Sequence, residues 1–411
     1  MRKVIATLLT CAALLTGLGV IFVASASTVR SASLHRGDPH WFLMRQIAWL
    51  AVAMALGLFA AKFDYHHWQK QRWLQIALLA AVFLGLAAVF PPSPIAVGRI
   101  NGSYRWVGLG PVRFQPSELA KLATVILVSV WMSGLGWRVR TFWRGFALPL
   151  GVLAVVLGLL ILEPDFGAMF VTAVVGMALL FVAGARVLYI AAAGVSGAGV
   201  FLALVLHDTV RCERLLVYVV KAFGAASFLT EWLAGLIGKT PEQVLQDVAA
   251  SNKKHQAEQS RLAFINGGPL GVGLNNSMQK HYYLPEAYTD FIYAIAGEEW
   301  GLPATLGILL AFGAILVCGL LIAARAPDRL GRLLAFGLTL LLVFQAFFNI
   351  GVVTDCLPTK GLALPFISYG GSNLITAFVA IGMLVNIATH VLDPDAHIRA
   401  QLHDGPAARG A

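Results

Sequence analysis

Ten apolar stretches of roughly 20 residues recur along the chain, at 4–24, 42–61, 73–91, 118–136, 145–162, 167–185, 187–206, 302–324, 333–354 and 371–391. A stretch of that length crosses the hydrocarbon core as an α-helix, and a helix satisfies its own backbone donors and acceptors where water cannot. The expected fold class is therefore an all-α polytopic membrane protein with about ten transmembrane helices. Composition agrees. Of 411 residues, 58% are hydrophobic and 12% charged, whereas soluble domains carry about 25% charged residues. A soluble enzyme, a disordered chain and a secreted disulfide scaffold are excluded.

Met1-Arg2-Lys3, an apolar run and then Ala24-Ser25-Ala26 imitate a cleavable signal peptide. The run is long enough to span and the rest of the chain is itself membrane-embedded, so it reads as an uncleaved first helix. With an even number of spans, both termini share a side. Placing them inside puts 12 Lys and Arg in the short inner connections and six in the short outer loops. That bias assigns the termini to the cytoplasm. The net charge of +10 is accounted for by topology and anionic headgroups, without nucleic acid. Four cysteines (Cys11, Cys212, Cys318, Cys356) show no metal-ligand spacing. Cys11 and Cys318 read as packing residues; a Cys212–Cys356 disulfide is a less favoured alternative to free thiols.

The chain then divides into residues 1–206 with spans one to seven, a large outer loop over 207–290, spans eight to ten over 291–392, and a cytoplasmic tail over 393–411. The loop holds eight bases and eight acids in 84 residues, which makes it the charge-rich part of the protein. Thr240-Pro241-Glu242-Gln243 has the pattern of a helix start, with Thr as cap and Gln three residues on. Phe228, Leu229, Trp232, Leu233, Leu236 and Ile237 recur at helical spacing. Their face either lies on a bilayer or partner, or packs on the loop's own helices.

Ionisable residues in or beside spans are costly to bury and are functional candidates by default. Gln115-Pro116-Ser117-Glu118-Leu119-Ala120-Lys121 opens the fourth span, and Glu118 and Lys121, three apart, can pair on one face. Glu163-Pro164-Asp165-Phe166-Gly167 makes the turn between spans five and six; two solvated acids in a Pro turn account for it better than an acid/base pair. The densest constellation runs through Asn266-Gly267-Gly268-Pro269-Leu270-Gly271-Val272-Gly273, Ser277-Met278-Gln279-Lys280 and Tyr283-Leu284-Pro285-Glu286-Ala287-Tyr288-Thr289-Asp290. Its glycines could bring backbone N–H groups to an anion, with Lys280 and Gln279 beside them. Asp290 stands where water meets an apolar helix, either as that helix's cap or as a carboxylate raised toward a useful general base. Glu298, two turns on, is positioned to pair with a cation of another span. Leu357-Pro358-Thr359-Lys360-Gly361 and Leu364-Pro365-Phe366-Ile367-Ser368-Tyr369-Gly370-Gly371-Ser372 form a re-entrant outer connection in which Lys360 is the one cation.

Four of these motifs, in this order, resemble the SEDS family (shape, elongation, division and sporulation), whose groups are FtsW, RodA and SpoVE. They are Arg105-Trp106 with Gln115 to Lys121, Pro164-Asp165-Phe166-Gly167, Gly267 to Asp290, and Leu357 to Ser372. The resemblance extends from span one to span ten, and Leu-Pro-Thr-Lys-Gly is closer to the division members than to the elongation members. It implies a peptidoglycan glycosyltransferase that polymerises lipid II at the outer face of the bacterial cytoplasmic membrane, together with a class B penicillin-binding protein transpeptidase and other division or elongation proteins. It implies that Asp290 is the catalytic carboxylate. Lys280, Lys360, Arg211 and Arg214 would then meet the pyrophosphate, with Gln279, Ser277 and Glu286 also binding substrate. Glu118, Lys121 and Arg105 would be structural supports. The sequence points to no definite cofactor and shows no ligand set for a metal; a divalent cation that shares the pyrophosphate charge is an alternative. Tyr288 replaces the family's usual His, Asn275 its usual Gly, and Asp355-Cys356 its usual Gly before Leu357. The segment from Val219 to Lys254 is longer than usual and suggests a partner surface. The competing function is a lipid II transporter, which requires polar groups near the bilayer midplane open to both sides.

Overall fold

The structure is a computed structural model describing residues 1–34, 37–91, 93–98, 104–109, 112–207, 212, 216, 219–220, 224, 227–236, 238, 240, 242–243, 252–281, 283–357 and 361–392. Its first helices are α1 (Arg2–Leu34), α2 (Trp41–Lys62), α3 (His67–Lys70) and α4 (Arg72–Ala88). A two-stranded antiparallel hairpin comes next, β1 (Val107–Leu109) on β2 (Val112–Phe114). Then come α5 (Pro116–Gly134), α6 (Leu148–Leu162), α7 (Phe166–Val182), α8 (Val187–His207), α9 (Phe228–Leu236) and α10 (Asn252–Gly267). The last three are α11 (Ile292–Arg325), α12 (Arg329–Val353) and α13 (Gly371–Leu392).

Among the described residues, seven helical runs are long and apolar enough to cross a membrane: α1, α2, α5, Trp143–Leu162 (which contains α6), α11, α12 and α13. Shorter apolar helices at Arg72–Ala88, Phe166–Val182 and Val187–Val200 occupy the other three expected positions. The chain is a multi-pass membrane protein. The hairpin was not expected, and its strands are three residues each. Within the outer loop, the Thr240 amide donates to Gln243 Oε1 at 2.9 Å and the Gln243 amide to Thr240 Oγ1 at 3.3 Å, the reciprocal bonding of a capping box. The apolar face of α9 is divided. Leu233 and Ala234 pack with Cys212 and Leu216, while Phe228, Leu229 and Trp232 are exposed. None of the four cysteines forms a disulfide, which removes that alternative. The tail over 393–411 and 16 of the 36 residues over 219–254 lie outside the described residues.

The most buried spans are α5, α12 and α13, and they also carry the interior polar side chains. A hydrocarbon solvent supplies no hydrophobic drive between helices, so close backbone approach and interhelical hydrogen bonds do the joining. The α2–α13 contact illustrates this. A Cβ on Gly57 would stand 2.8 Å from the carbonyl oxygen of Phe378, and one on Gly382 would collide with the carbonyl of Gly57. The first helix is an integral part of the bundle: Leu8, Leu15, Phe22 and Val23 are buried, and a Cβ on Gly19 would strike the backbone of Phe366 and Ile367.

Span eight starts at the boundary expected after Asp290, and it is broken. α11 begins at Ile292, ten residues before the apolar stretch read from 302, and it breaks at Gly301, whose φ of 64° is outside the helical region. Pro303 lies just beyond the break. The leading half-helix, from Ile292 to Glu299, is buried in protein along its whole length.

Substituting Gly382→Ala should separate α2 from α13 and lower the unfolding temperature, at a cost of about 1–3 kcal/mol as for other overpacked contacts. Gly313→Ala, where an added Cβ meets nothing within 4 Å, should leave it unchanged or raise it. Thermal unfolding of both purified variants checks this.

Candidate functional site

Asp290 lies in the turns just before α11. It does not cap that helix; Phe291 occupies the cap position, without a side-chain hydrogen bond. Its backbone is fixed instead by a neighbouring span. Asn349 of α12 donates from Nδ2 to the carbonyl of Asp290 at 2.8 Å and to that of Leu362 at 2.6 Å. The connection between α12 and α13 is thereby held against the Asp290 turn. Ser368 Oγ donates to the Thr289 carbonyl at 2.6 Å, and the Tyr369 amide donates to the Tyr288 carbonyl at 3.0 Å. Gly361 sits so close that a Cβ there would run into the Asp290 carboxylate.

Beneath this connection lies a buried polar web. Lys121 Nζ donates to Glu118 Oε1 at 2.8 Å and to Gln345 Oε1 at 2.5 Å. Gln345 Nε2 in turn donates to the Ala363 carbonyl at 2.8 Å and to Asn373 Oδ1 at 3.0 Å. Pro116 at the first turn and Glu118 beside the positive end of the helix dipole are the local reasons α5 starts where it does. The pairing of Glu118 with Lys121 expected from their spacing is present.

Asp290 is half-buried, and withdrawal from water raises its carboxyl pKa to about 7. Burial is the largest cause within that value; the Glu286 carboxylate also raises it, the Arg105 guanidinium lowers it, and Asp165 raises it. Arg105 stands just before β1 and donates to the Pro164 carbonyl at 2.6 Å. It also faces Asp165 at 3.9 Å. Among the described residues, Arg105 is thus a cation whose charge favours the ionised form of Asp290. The Glu163–Asp165 turn also differs from expectation. Both carboxylates are almost fully buried, not solvated. Asp165 caps α7 through the Ala168 amide and accepts from Gln115 Nε2 and Ser117 Oγ, each at 3.0 Å. Glu163 is raised to about 8, first by burial and then by Asp165, with Arg105 opposing. Nothing in the spacing of Glu-Pro-Asp distinguishes this from an exposed turn; the side chains that meet it, Arg105, Gln115 and Ser117, come from either side of the hairpin.

Ser277, Gln279 and Lys280 are brought to a different place. Lys280 Nζ donates to Asn275 Oδ1 at 2.5 Å, the Asn275 carbonyl at 2.7 Å, Ser25 Oγ at 3.2 Å and Glu299 Oε1 at 3.4 Å. None of its polar contacts among the described residues is to Asp290. Ser277 Oγ donates to Glu298, which also accepts from the Met278 and Gln279 amides. The cation partner on the half-helix is thus Glu299, while Glu298 organises a turn. The glycine run has a structural cause as well: Cβ atoms on Gly267, Gly271 and Gly301 would collide with backbone of the facing segment. The amides of Val272 and Gly273 are occupied by the carbonyls of Glu298 and Glu299, at 3.0 and 2.9 Å. This run is a backbone-to-backbone packing surface and not an anion cradle. Lys360, Arg211 and Arg214 lie outside the described residues.

Other cations reach the outer connection. Tyr288 packs against Phe42 and Tyr369 at 4.8 and 5.8 Å between ring centroids. Its hydroxyl is raised to about 12 by burial and by Glu286, with Arg30 opposing. Burial likewise raises Tyr369, against Arg45 and Arg113. Arg30, Arg45 and Arg113 therefore border the same aromatic pair, and their spread over α1, α2 and β2 hides them from motif reading. Among the described residues, the carboxylates around Asp290 do not converge into a metal-ligand group; Asp64, His66 and His390 do, elsewhere.

The FtsW/RodA/SpoVE model, described as a cell cycle protein, matches residues 5–392. A probable peptidoglycan glycosyltransferase FtsW of Nitrosococcus halophilus is 38% identical over 384 residues, 92% of this chain and 91% of that one. Another from Geobacter sulfurreducens is 38% identical, covering 93% and 95%. Among solved structures, a chain of a peptidoglycan synthase complex that coordinates polymerization and crosslinking aligns with TM-score 0.66 at 25% identity, covering 94% of this chain and 98% of that one. A mutant of Thermus thermophilus Rod shape determining protein RodA aligns at 0.60, also with 25% identity, covering 93% and 96%.

Removing the Glu286 charge with Glu286→Gln should lower the titration midpoint of Asp290 below its value of about 7, because a like charge no longer opposes ionisation. Arg105→Ala should raise it. Infrared difference spectra of the carboxyl stretch against pH, with Asp290→Asn as the assignment control, read both shifts.

Proposed function

The chain belongs to the FtsW/RodA/SpoVE family, and on that premise we propose that it is a peptidoglycan glycosyltransferase that polymerises lipid II into glycan strands during septal synthesis. The reaction takes place at the outer face of the bacterial cytoplasmic membrane, with both termini inside. The observation that carries this reading is Asp290 itself. It is a half-buried carboxylate at the mouth of the bundle, raised to about 7, the range in which a group both releases and accepts protons near neutrality.

Asp290 takes the proton of the acceptor's GlcNAc 4-hydroxyl, and that oxygen attacks C1 of the donor's MurNAc. The bond from C1 to the pyrophosphate oxygen breaks with inversion, and undecaprenyl pyrophosphate departs. Negative charge grows on the leaving group, so fixed cations near it favour the transition state. Arg105 is the described cation that acts on Asp290. Arg30, Arg45 and Arg113 around Tyr288 and Tyr369 extend that positive field along the outer connection, and Lys360 belongs to the same connection by sequence. Lys280, tied to Glu299, Ser25 and Asn275, supports the half-helix. A class B penicillin-binding protein is the proposed partner, in keeping with the similarity to a chain of a peptidoglycan synthase complex.

The test is glycan polymerisation from lipid II by the purified protein co-expressed with its transpeptidase. Wild type should yield strands, whereas Asp290→Ala and Asp290→Asn should yield none; strands of equal length from all three would contradict the general-base role. Gly361→Ala, which crowds the Asp290 carboxylate, should slow polymerisation by about 100-fold, the cost of misplacing a reacting group by roughly 1 Å.

A further inference from the structure

At the end of the bundle opposite Asp290, three chain segments bring two imidazoles and a carboxylate together. Asp64 and His66 stand in the turn between α2 and α3, and His390 in the last turn of α13. Asp64 Oδ1 lies 2.6 Å from His66 Nδ1 and 3.6 Å from His390 Nε2. One ligand atom from each of the three residues lies within 4.8 Å of the others.

The remaining ring nitrogens show how the imidazoles are oriented. His66 Nε2 is 3.2 Å from Asp328 Oδ2, and His390 Nδ1 is 2.9 Å from the Asn386 carbonyl. Each ring thus spends its outward nitrogen on a carboxylate or a backbone carbonyl and presents the other toward Asp64. That outer bonding fixes tautomer and ring plane, and it is the arrangement proteins use to hold a metal-binding imidazole. The anchors are themselves held. Asp328 caps α12 through the Gly331 amide at 2.8 Å and accepts from the Tyr65 hydroxyl. Asn386 accepts from the Tyr65 amide at 3.1 Å and donates to the Ala61 carbonyl at 2.9 Å.

We propose that Asp64, His66 and His390 bind one divalent transition-metal ion of the zinc class. Two imidazoles and one carboxylate suit a borderline ion, and a fourth position falls to water or another donor. At metal–ligand distances near 2.0–2.1 Å, the ligand atoms of a tetrahedral ion stand about 3.3 Å apart. The Asp64–His390 separation is close to that already, and the Asp64–His66 hydrogen bond would open by about 0.7 Å as the ion takes the place of its proton. The bound ion ties the turn after α2 to the end of α13 and, through Asp328, to the start of α12. It is a staple on the face that the positive-inside count assigns to the cytoplasm.

The test uses the full-length protein without a polyhistidine tag, stripped of metal and titrated with Co²⁺. Visible ligand-field bands should saturate at one equivalent and disappear on addition of Zn²⁺. His66→Ala and His390→Ala should abolish them, while His281→Ala, on the outer loop, should not. Asp328→Asn, which retains a cap for α12, should weaken binding by about 10–100-fold, as loss of an outer-shell partner does. His390→Cys, which keeps a donor at the position, should retain one-equivalent binding and add a sulfur-to-cobalt charge-transfer band. No saturable binding by the wild type, or binding indifferent to both His66→Ala and His390→Ala, would overturn the proposal.

Discussion

A single ammonium group, Lys121 Nζ, anchors the outer half of this protein. It is sealed from water, and its charge is met by Glu118 within its own helix and by the Gln345 amide oxygen of α12. Removing one member of such a buried pair leaves an uncompensated charge, at a cost of about 3–5 kcal/mol. The spent amide oxygen orients Gln345 so that its nitrogen reaches the Ala363 carbonyl and Asn373. One turn further along α12, Asn349 holds the carbonyls of Leu362 and Asp290 together. The carboxylate proposed for catalysis therefore inherits its position from a charge pair in α5, through two amide side chains. The expense of burying ions in a membrane protein is met here by rigidity at the site.

The same logic governs the broken span. Glu298 and Glu299 would be untenable beside lipid, and they are tolerable because the half-helix is enclosed by protein. Glu299 takes Lys280 and Ser25, and Glu298 takes the turn at Ser277. The glycines at 267, 271 and 301 let the two backbones touch, so the outer loop and span eight form one unit. Asp290 leads directly into that unit. A loop that had only glycine flexibility to recommend it would not hold a general base still.

Hydropathy placed ten spans because their apolar length is a local property, and helical runs occupy all ten positions among the described residues. Asp290 stands at a visible boundary between polar and apolar sequence, where a helix cap and a general base read alike; the resemblance to the SEDS family is what singles it out as the catalytic candidate. What escaped sequence reading depends on distant segments. Lys280 looked like a free cation because Ser25, 255 positions away, gives no local sign of its role. Glu163 and Asp165 looked solvated because a Pro turn usually is; both are buried, and the side chains that meet the turn, Arg105, Gln115 and Ser117, lie 48 to 59 positions away. The Asp64–His66–His390 cluster joins residues 326 positions apart, with its anchoring acid on a third helix, and it has no linear spacing to read.

The central claim is that Asp290 acts as a base whose strength is set by its burial. The most direct measurement is the pH dependence of lipid II polymerisation by the full complex at saturating substrate. The account predicts a rate that rises through a single ionisation with its midpoint near the Asp290 value of about 7. A rate that is flat across this range, or a midpoint near the ordinary carboxylate value of about 4, would contradict it.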